Sequence, residues 1–188
     1  MKRIAITGGI GSGKSFVCHL LAKRGIRVYD CDAAAKRLMR TDAVLQHQLQ
    51  ELVGDDVYQG QELQKSVLAS FLLASDENKR AVDDIVHPAV ARDFEQSGYG
   101  WLESAILFDS AFDRRVAFDA FVFVDAPLEV RVGRVMNRDH ITREKAMQCI
   151  NSQLPAEEAK RRCDYTVVND GKADLDRQVD DLLRALGQ

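Results

Sequence analysis

Residues 4–15 read Ile4-Ala5-Ile6-Thr7-Gly8-Gly9-Ile10-Gly11-Ser12-Gly13-Lys14-Ser15. The first four form a short apolar run, as expected for a strand that is buried on both faces. From residue 14 to residue 24 the apolar side chains recur at helical spacing. The segment between, from Gly8 to Ser15, matches the phosphate-loop pattern G-x-x-x-x-G-K-[ST] in full and in the strand-to-helix context that the pattern requires. The sequence therefore predicts a P-loop after the first strand.

The residues of this loop predict how a nucleotide triphosphate is held. Glycines let the backbone turn its amide N–H groups toward phosphate oxygens, and the helix N-terminus adds a partial positive charge. We expect Lys14 at the β and γ phosphates and the Ser15 hydroxyl on Mg²⁺. The predicted nucleotide-binding residues here are Gly8, Gly9, Ile10, Gly11, Ser12, Gly13, Lys14, Ser15 and Phe16.

Strand and helix patterns in the rest of the chain predict an α/β fold. Further strands are expected at residues 26–30, 101–108, 120–124 and 165–168, followed by a final helix that ends at residue 186. About seventy residues between the second and third strands have helical spacing and almost no strand signal. We therefore predict a P-loop NTPase fold: a doubly wound, parallel, five-stranded sheet with an inserted helical substrate subdomain and a helical lid.

The length of the chain predicts one domain. Its 188 residues suffice for one compact core and are too few for two ordinary catalytic domains. Within that domain we expect a core of about residues 1–34, 95–133 and 160–188, a helical acceptor subdomain of about residues 35–94, and a lid of about residues 134–159. The ligands should lie at the carboxyl ends of the strands.

Composition excludes several classes of protein. The chain is 46% hydrophobic and 29% charged, and its net charge of -3 gives no field that would recruit nucleic acid or an anionic membrane. Its apolar runs are too short for a signal peptide or a bilayer span. The four cysteines are widely spaced, which favours reduced thiols over zinc or disulfides. We expect a cytoplasmic protein, a monomer or weak homo-oligomer, without nucleic-acid or membrane partners.

Two carboxylates follow the second predicted strand. Asp30 and Asp32 are two residues apart, so on a strand they would point to the same face and could serve one site. A carboxylate there could accept the proton of an acceptor hydroxyl or hold the water shell of the metal. The alternative is a polar strand end that caps a helix beginning at Ala33.

Three arginines predict a basic lid. Arg131, Arg134 and Arg138 are spaced so that their guanidinium groups share one helical face. Residues 138–142 then interrupt the helix, with Thr142 as the N-cap of the next one. When such a lid closes, its arginines can neutralise charge on the transferring phosphoryl group and exclude water. A solvated surface position is an equally good interpretation of Arg131.

The P-loop alone leaves several functions open. No N-K-x-D motif follows the later strands, which counts against a GTPase. A kinase for another small acceptor, such as a nucleoside monophosphate, would share the P-loop and the arginine lid. A non-catalytic module that changes partners on binding nucleotide is a third possibility, and the acidic pair after the second strand argues against it.

Several separate motifs together carry a family resemblance: residues 7–15, Gly25-Ile26 leading to residues 30–32, His87-Pro88, residues 136–139 followed by 142–144, and residues 164–165 with 169–171. In this combination the sequence resembles the dephospho-CoA kinase family over nearly the whole chain. That family transfers the γ-phosphate of ATP to the ribose 3′-hydroxyl of dephospho-CoA, the last step of coenzyme A synthesis. The resemblance implies ATP and dephospho-CoA as ligands.

The resemblance also implies roles for individual residues. Asp32 is the expected catalytic base, with Asp30 supporting it or the metal. The implied catalytic set is Asp32, Lys14 and Arg138, and the implied metal ligands are Ser15 and Asp32. Arg134 and Asn169 join the nucleotide-binding residues, with the turn at Asn169 bordering adenine, and the substrate set is Asp30, Asp32, His87 and Glu103. For His87, a structural role at a helix boundary before Pro88 is as good an interpretation.

The sequence departs from the family pattern at two places. Phe16 stands where much of the family has Thr, so a hydroxyl contact to the α-phosphate is lost there. Residues 105–109 read Ala-Ile-Leu-Phe-Asp, where the family often has P-L-L-[FV]-E. We therefore expect Glu103, which lies two residues before the position of the missing proline, to take the acidic role in the metal shell.

Overall fold

The computed structural model describes residues 2–188. Its elements are β1 (Ile4–Thr7), α1 (Lys14–Lys23), β2 (Val28–Asp30), α2 (Cys31–Thr41), α3 (Ala43–Val53), a 3-10 turn (Asp55–Val57), β3 (Tyr58–Gln59), β4 (Glu62–Leu63), α4 (Lys65–Ala74), α5 (Asp76–Gln96), β5 (Trp101–Glu103), α6 (Phe112–Arg115), β6 (Ala120–Asp125), α7 (Leu128–Asp139), α8 (Arg143–Asn151), α9 (Ala156–Arg161), β7 (Tyr165–Val168) and α10 (Leu175–Leu186). The chain forms two compact units, one of residues 1–29 with 99–188 and one of residues 30–98.

A five-stranded sheet in the order β2-β5-β1-β6-β7 confirms the predicted fold class. β1 pairs in parallel with both β5 and β6, and β6 pairs in parallel with β7. The strand order reverses around β1, because β5 and β2 lie to one side of it and β6 and β7 to the other. The P-loop therefore leaves the sheet at the switch point of a doubly wound fold, where such folds bind their ligands.

The core of the first unit fixes the strand that carries the P-loop. Ile4 and Ile6 of β1 are fully buried and belong to one cluster with side chains of α1, β6 and α10. Burying one such side chain contributes about 1.5–3 kcal/mol relative to leaving it exposed. The end of β1, and with it the start of the loop, is therefore held in place by close packing.

The second unit is mainly helical, with one short antiparallel hairpin formed by β3 and β4. The segment was predicted to have almost no strand, and its two strands are only two residues long each. Tyr58 on β3 is buried, and its hydroxyl donates to the carbonyl of Met39 over 2.7 Å. Burial raises the pKa of Tyr58 to about 12. Within residues 2–188, no helix combines the length and the apolar character that a bilayer crossing requires.

Two predicted strands are shorter in the structure. The strand expected at 26–30 begins only at Val28, because the N–H of Ile26 still donates to the carbonyl of Leu21 at the end of α1. The strand expected at 101–108 ends at Glu103, because the Ser104 hydroxyl accepts the N–H of Ile106 and starts a turn. The apolar residues 105–108 are therefore loop residues, and the continuous apolar run was misleading.

Candidate active site

The P-loop connects β1 to α1 and has the backbone that its glycines permit. Gly11 has a φ of 79° and Gly13 a φ of 88°, in the left-handed region that other residues seldom adopt. Gly13 is also the N-cap of α1, so the first helical amides follow the loop directly. The predicted strand, loop and helix are thus confirmed.

Two glycines also allow a close approach on the protein side of the loop. A Cβ atom added to Gly9 would lie 2.2 Å from Nη2 of Arg131, and one added to Gly13 would lie 2.1 Å from Nδ2 of Asn169. The loop pattern predicted the glycines only for contact with phosphate. The structure adds a second reason for them, because helix α7 and Asn169 pack directly against the loop.

Three side chains donate hydrogen bonds to successive carbonyls of the loop. Arg131 Nε donates to the carbonyl of Ile10 over 2.9 Å. Arg134 Nη1 donates to the carbonyls of Gly11 and Ser12 over 3.3 and 3.2 Å, and Asn169 Nδ2 donates to the latter over 2.8 Å. Arg134 Nη2 also donates to Oδ1 of Asn169 over 3.0 Å. We call Arg131, Arg134 and Asn169 the carbonyl clamp.

Three amides of the loop and of the first turn of α1 remain available to a ligand. Among residues 2–188, no acceptor is present for the N–H groups of Gly11, Gly13 and Ser15. A trans peptide places its N–H opposite its C=O, so clamping the carbonyls of Ile10 and Ser12 directs the amides of Gly11 and Gly13 away from the clamp. Amides gathered in this way at a helix N-terminus form an anion site.

Lys14 lies within the loop and is almost completely buried, with 8% of its surface exposed. Its Nζ donates to the carbonyl of Gly8 over 2.9 Å and lies 3.8 Å from Oε1 of Glu103. The predicted acid at the end of β5 is therefore adjacent to the predicted phosphate-binding ammonium. Ser15 and Phe16, the next two residues of α1, are both exposed.

Arg131 is 7% exposed, so the solvated interpretation of this residue is wrong. Burial lowers the pKa of its guanidinium, and the charge of Asp125 acts in the opposite direction. Asp125 in turn accepts a hydrogen bond of 2.6 Å from Lys160 Nζ on α9, which raises the pKa of Lys160. A buried cation thus has a nearby anion, and that anion has a second cation.

The segment predicted to be a lid contains two helices with a break between them. α7 ends at Asp139, His140 has a φ of 53°, and Thr142 caps α8 by accepting the N–H of Lys145. Val132, Val135, Ala146 and Ile150 form the small core of this helix pair, and the side chain of Ile10 packs against it. Arg138 at the end of α7 is exposed and forms two 2.7 Å hydrogen bonds with Asp139.

Three predicted site residues, Asp30, Asp32 and His87, belong to the second unit. The predicted local structure was wrong for the acidic pair and for the histidine. α2 begins at Cys31, so Asp32 lies in a helical turn and does not share a strand face with Asp30. Asp30 is the N-cap of this helix and accepts the N–H of Ala33 over 2.9 Å. His87 lies inside α5, which continues through Pro88, so it is not at a helix boundary. Its Nε2 lies 3.5 Å from Oδ1 of Asp83.

Sequence reasoning missed Gln153, which lies in the loop between α8 and α9. Its Oε1 accepts the N–H of Ile10 over 2.7 Å, and its Nε2 donates to the carbonyl of Ala105 over 3.0 Å. No motif or spacing marks an isolated glutamine in a loop, so the sequence carried no signal for this contact. Asn169, which was predicted to border adenine, accepts a hydrogen bond from Arg134 and donates one to the carbonyl of Ser12; its position relative to a base stays a prediction.

Comparisons with known proteins agree with this geometry. A family model described as dephospho-CoA kinase matches residues 2–174. A protein of Bacteroides fragilis named dephospho-CoA kinase is 41% identical over 99% of this chain and 93% of its own length. One of Porphyromonas gingivalis with the same name is 40% identical over 90% of this chain and 86% of its own.

Solved structures have the same fold. A crystal structure from Thermus thermophilus superposes with a TM-score of 0.76 at 32% identity, covering 98% of this chain and 95% of its own. Dephospho-CoA kinase from Campylobacter jejuni superposes with a TM-score of 0.68 at 20% identity, covering 99% and 98%. Because the family model and the named relatives match over nearly the full length, this chain belongs to the dephospho-CoA kinase family.

Proposed function

We propose that this chain transfers the γ-phosphate of ATP to the ribose 3′-hydroxyl of dephospho-CoA, giving coenzyme A and ADP. The observation that carries the proposal is the P-loop itself. Its Gly11 and Gly13 amides face away from the carbonyl clamp and have no acceptor within residues 2–188, beside the ammonium of Lys14. Membership of the dephospho-CoA kinase family indicates that the acceptor is dephospho-CoA.

Phosphoryl transfer depends mainly on positioning and on neutralising charge. The amides of the loop would orient the phosphate chain, and Lys14 would exchange the carbonyl of Gly8 for phosphate oxygens. Glu103, 3.8 Å from Lys14 Nζ, would keep the ammonium oriented toward the site before the nucleotide arrives. A direct in-line transfer needs no protein nucleophile.

The residues present fit a magnesium ion that arrives with the nucleotide. Mg²⁺ retains several waters and is usually held by one or two protein ligands together with substrate phosphates. Residues 2–188 contain no cluster of three or more His, Cys, Asp or Glu side chains that could form an all-protein metal site. Ser15, exposed in the first turn of α1, would supply its hydroxyl, with Asp32 as the proposed carboxylate. The bound ion would neutralise charge on the phosphates.

Asp32 is the proposed general base for the acceptor hydroxyl, and Arg138 the proposed lid arginine. Both assignments rest on the family motifs in this sequence, and Asp30 and His87 complete the proposed acceptor site. A cytoplasmic location, a monomeric or weakly oligomeric state and the absence of nucleic-acid and membrane partners remain part of the proposal.

An ADP-release assay tests the activity directly. The purified chain with ATP and Mg²⁺ is expected to release ADP rapidly on addition of dephospho-CoA and only slowly without it. AMP, UMP and CMP serve as alternative acceptors and are expected to give no stimulation. Lys14→Met is the matched inactive control. Stimulation by a nucleoside monophosphate but not by dephospho-CoA would reject the proposed acceptor.

The role of Asp32 has its own test. Asp32→Asn keeps the size of the side chain but removes its basicity, so it should preserve ATP affinity and lower kcat by about 10²-fold or more. Calorimetric titration with ATP and steady-state kinetics measure the two effects. Wild-type turnover in this variant would rule out the base.

A further inference from the structure

The backbone of Ile10 is held from both sides. Its N–H donates to Gln153 Oε1 over 2.7 Å, and its carbonyl accepts from Arg131 Nε over 2.9 Å. Its side chain packs against the small apolar core between α7 and α8. One residue of the P-loop is thus fixed at its amide, its carbonyl and its side chain by the predicted lid segment and the helix that leads into it.

These contacts determine the orientation of two peptide planes. The plane between Gly9 and Ile10 is fixed by Gln153 at its N–H and by the amide of Ser12, which donates to the carbonyl of Gly9 over 3.0 Å. The plane between Ile10 and Gly11 is fixed by Arg131 at its carbonyl. Because the peptide is planar and trans, this second plane sets the direction of the Gly11 N–H.

The contacts of Gln153 make it more than a surface residue. While its Oε1 holds Ile10, its Nε2 donates to the carbonyl of Ala105, in the loop that follows Glu103. The side chain therefore joins the P-loop to the loop after β5, from a position just beyond α8. Both ends of its amide are satisfied, so its orientation is determined.

Arg131 is likewise fixed rather than free to follow a ligand. It is 7% exposed, lies against Gly9 so closely that a Cβ there would clash with Nη2, and has the charge of Asp125 nearby. A buried guanidinium that is bonded to backbone is a rigid support. Arg131 contacts the loop at the carbonyl of Ile10 and lies against Gly9.

We propose that Arg131 and Gln153 are positioning residues for phosphoryl transfer, which act by fixing the peptide planes on either side of Ile10 and so aiming the Gly11 amide at the phosphate. Neither residue needs to touch a ligand for this role. The kinetic part of the proposal rests on the proposed kinase function, whereas the effect on ATP affinity does not depend on the acceptor.

The test uses the full chain with Arg131→Met, Arg131→Lys and Gln153→Met, and Arg177→Gln on the exposed face of α10 as the control. We expect both methionine variants to weaken ATP affinity about five- to tenfold and to lower kcat about ten- to hundredfold, because small errors of placement are costly in transfer reactions. The KM for dephospho-CoA should stay within about twofold. Arg131→Lys keeps a donor and should recover part of both losses, and the control should match the wild type.

Calorimetry with ATP and Mg²⁺, steady-state kinetics and thermal unfolding separate the outcomes. A lower melting temperature with unchanged ATP affinity and kcat would show a merely structural role and overturn the proposal. So would an equal loss in all variants, including Arg177→Gln. If Arg131→Met does not fold, Gln153→Met, which changes a loop residue, decides the question. Loss of ATP affinity in a chain that does not phosphorylate dephospho-CoA would reject the kinase function and the kinetic part of this proposal, but it would support the role of the two residues in ATP binding.

Discussion

In the first half of α7, Arg131 and Arg134 donate hydrogen bonds to carbonyls of the P-loop. At the end of the same helix, Arg138 forms a solvent-exposed ion pair with its neighbour Asp139. Their spacing predicted one shared helical face and a common role in a lid, with a solvated surface position as an equal alternative for Arg131. The first two are bound to the loop, and Arg134 also donates to the side chain of Asn169. The third, Arg138, has a side chain that is 64% exposed, and its partner Asp139 is 37% exposed.

This difference separates the cations that shape the site from the one that can respond to a ligand. A buried guanidinium bound to backbone carbonyls acts through the loop it holds. An exposed guanidinium in a surface ion pair can exchange its partner for a phosphate at little cost, because such pairs are weak in water. The helical face is the same, and the surroundings decide what each arginine does.

The largest effect is expected at the open end of the helix. Arg138→Gln should lower kcat by about 10²–10³-fold, because an arginine that neutralises a transferring phosphoryl group acts mainly in the transition state. The melting temperature should change by no more than about 3 °C, since the surface pair with Asp139 contributes little. Steady-state kinetics and thermal unfolding measure the two.

Arg143→Gln is the matched control for that variant. Arg143 is also exposed, lies in the same helix pair and forms an ion pair with Glu129. If both substitutions lowered kcat equally, the effect would reflect the general charge of the lid, and the distinction between the ends of α7 would lose its basis.

An intermediate effect is expected at the clamp. Arg134→Met removes the donors to the carbonyls of Gly11 and Ser12 and to the side chain of Asn169. We expect ATP affinity to fall about tenfold and the free energy of unfolding to fall by about 2 kcal/mol, because charged hydrogen bonds to partly buried groups are lost. Calorimetry and urea unfolding measure these changes. An unchanged melting temperature together with a loss confined to kcat would mean that Arg134, like Arg138, acts mainly in the transition state and does not support the loop.

The sequence predicted those parts of the site that depend on short-range pattern. The P-loop, the break after Asp139 and the cap at Thr142 are local, and the structure confirms them. The fold class followed from alternating strands and helices, and it is confirmed as well.

The sequence did not predict contacts between distant segments. Ile10 and Gln153 are 143 positions apart, and Ser12 and Asn169 are 157 apart. Nothing in the local pattern distinguishes the buried Arg131 from the exposed Arg138, since burial depends on which loop the helix packs against. The prediction that Asp30 and Asp32 share a strand face was wrong for a related reason. Asp30 caps a helix that begins at Cys31, where the prediction assumed an extended strand.

The smallest effect is expected from Asp139, the carboxylate that pairs with Arg138. Arg138 lowers the pKa of Asp139, so the carboxylate stays charged at any pH at which the enzyme would work and competes with phosphate for the guanidinium. Asp139→Asn should therefore raise kcat, as measured by steady-state kinetics, but by no more than about fivefold, since exposed pairs are weak. Added salt should reduce the difference, because it screens the pair. If Asp139 acts only through Arg138, the double variant Arg138→Gln, Asp139→Asn should behave like Arg138→Gln alone. A further change in the double variant would mean that Asp139 contacts the site independently, and the open end of α7 would then contain two functional residues.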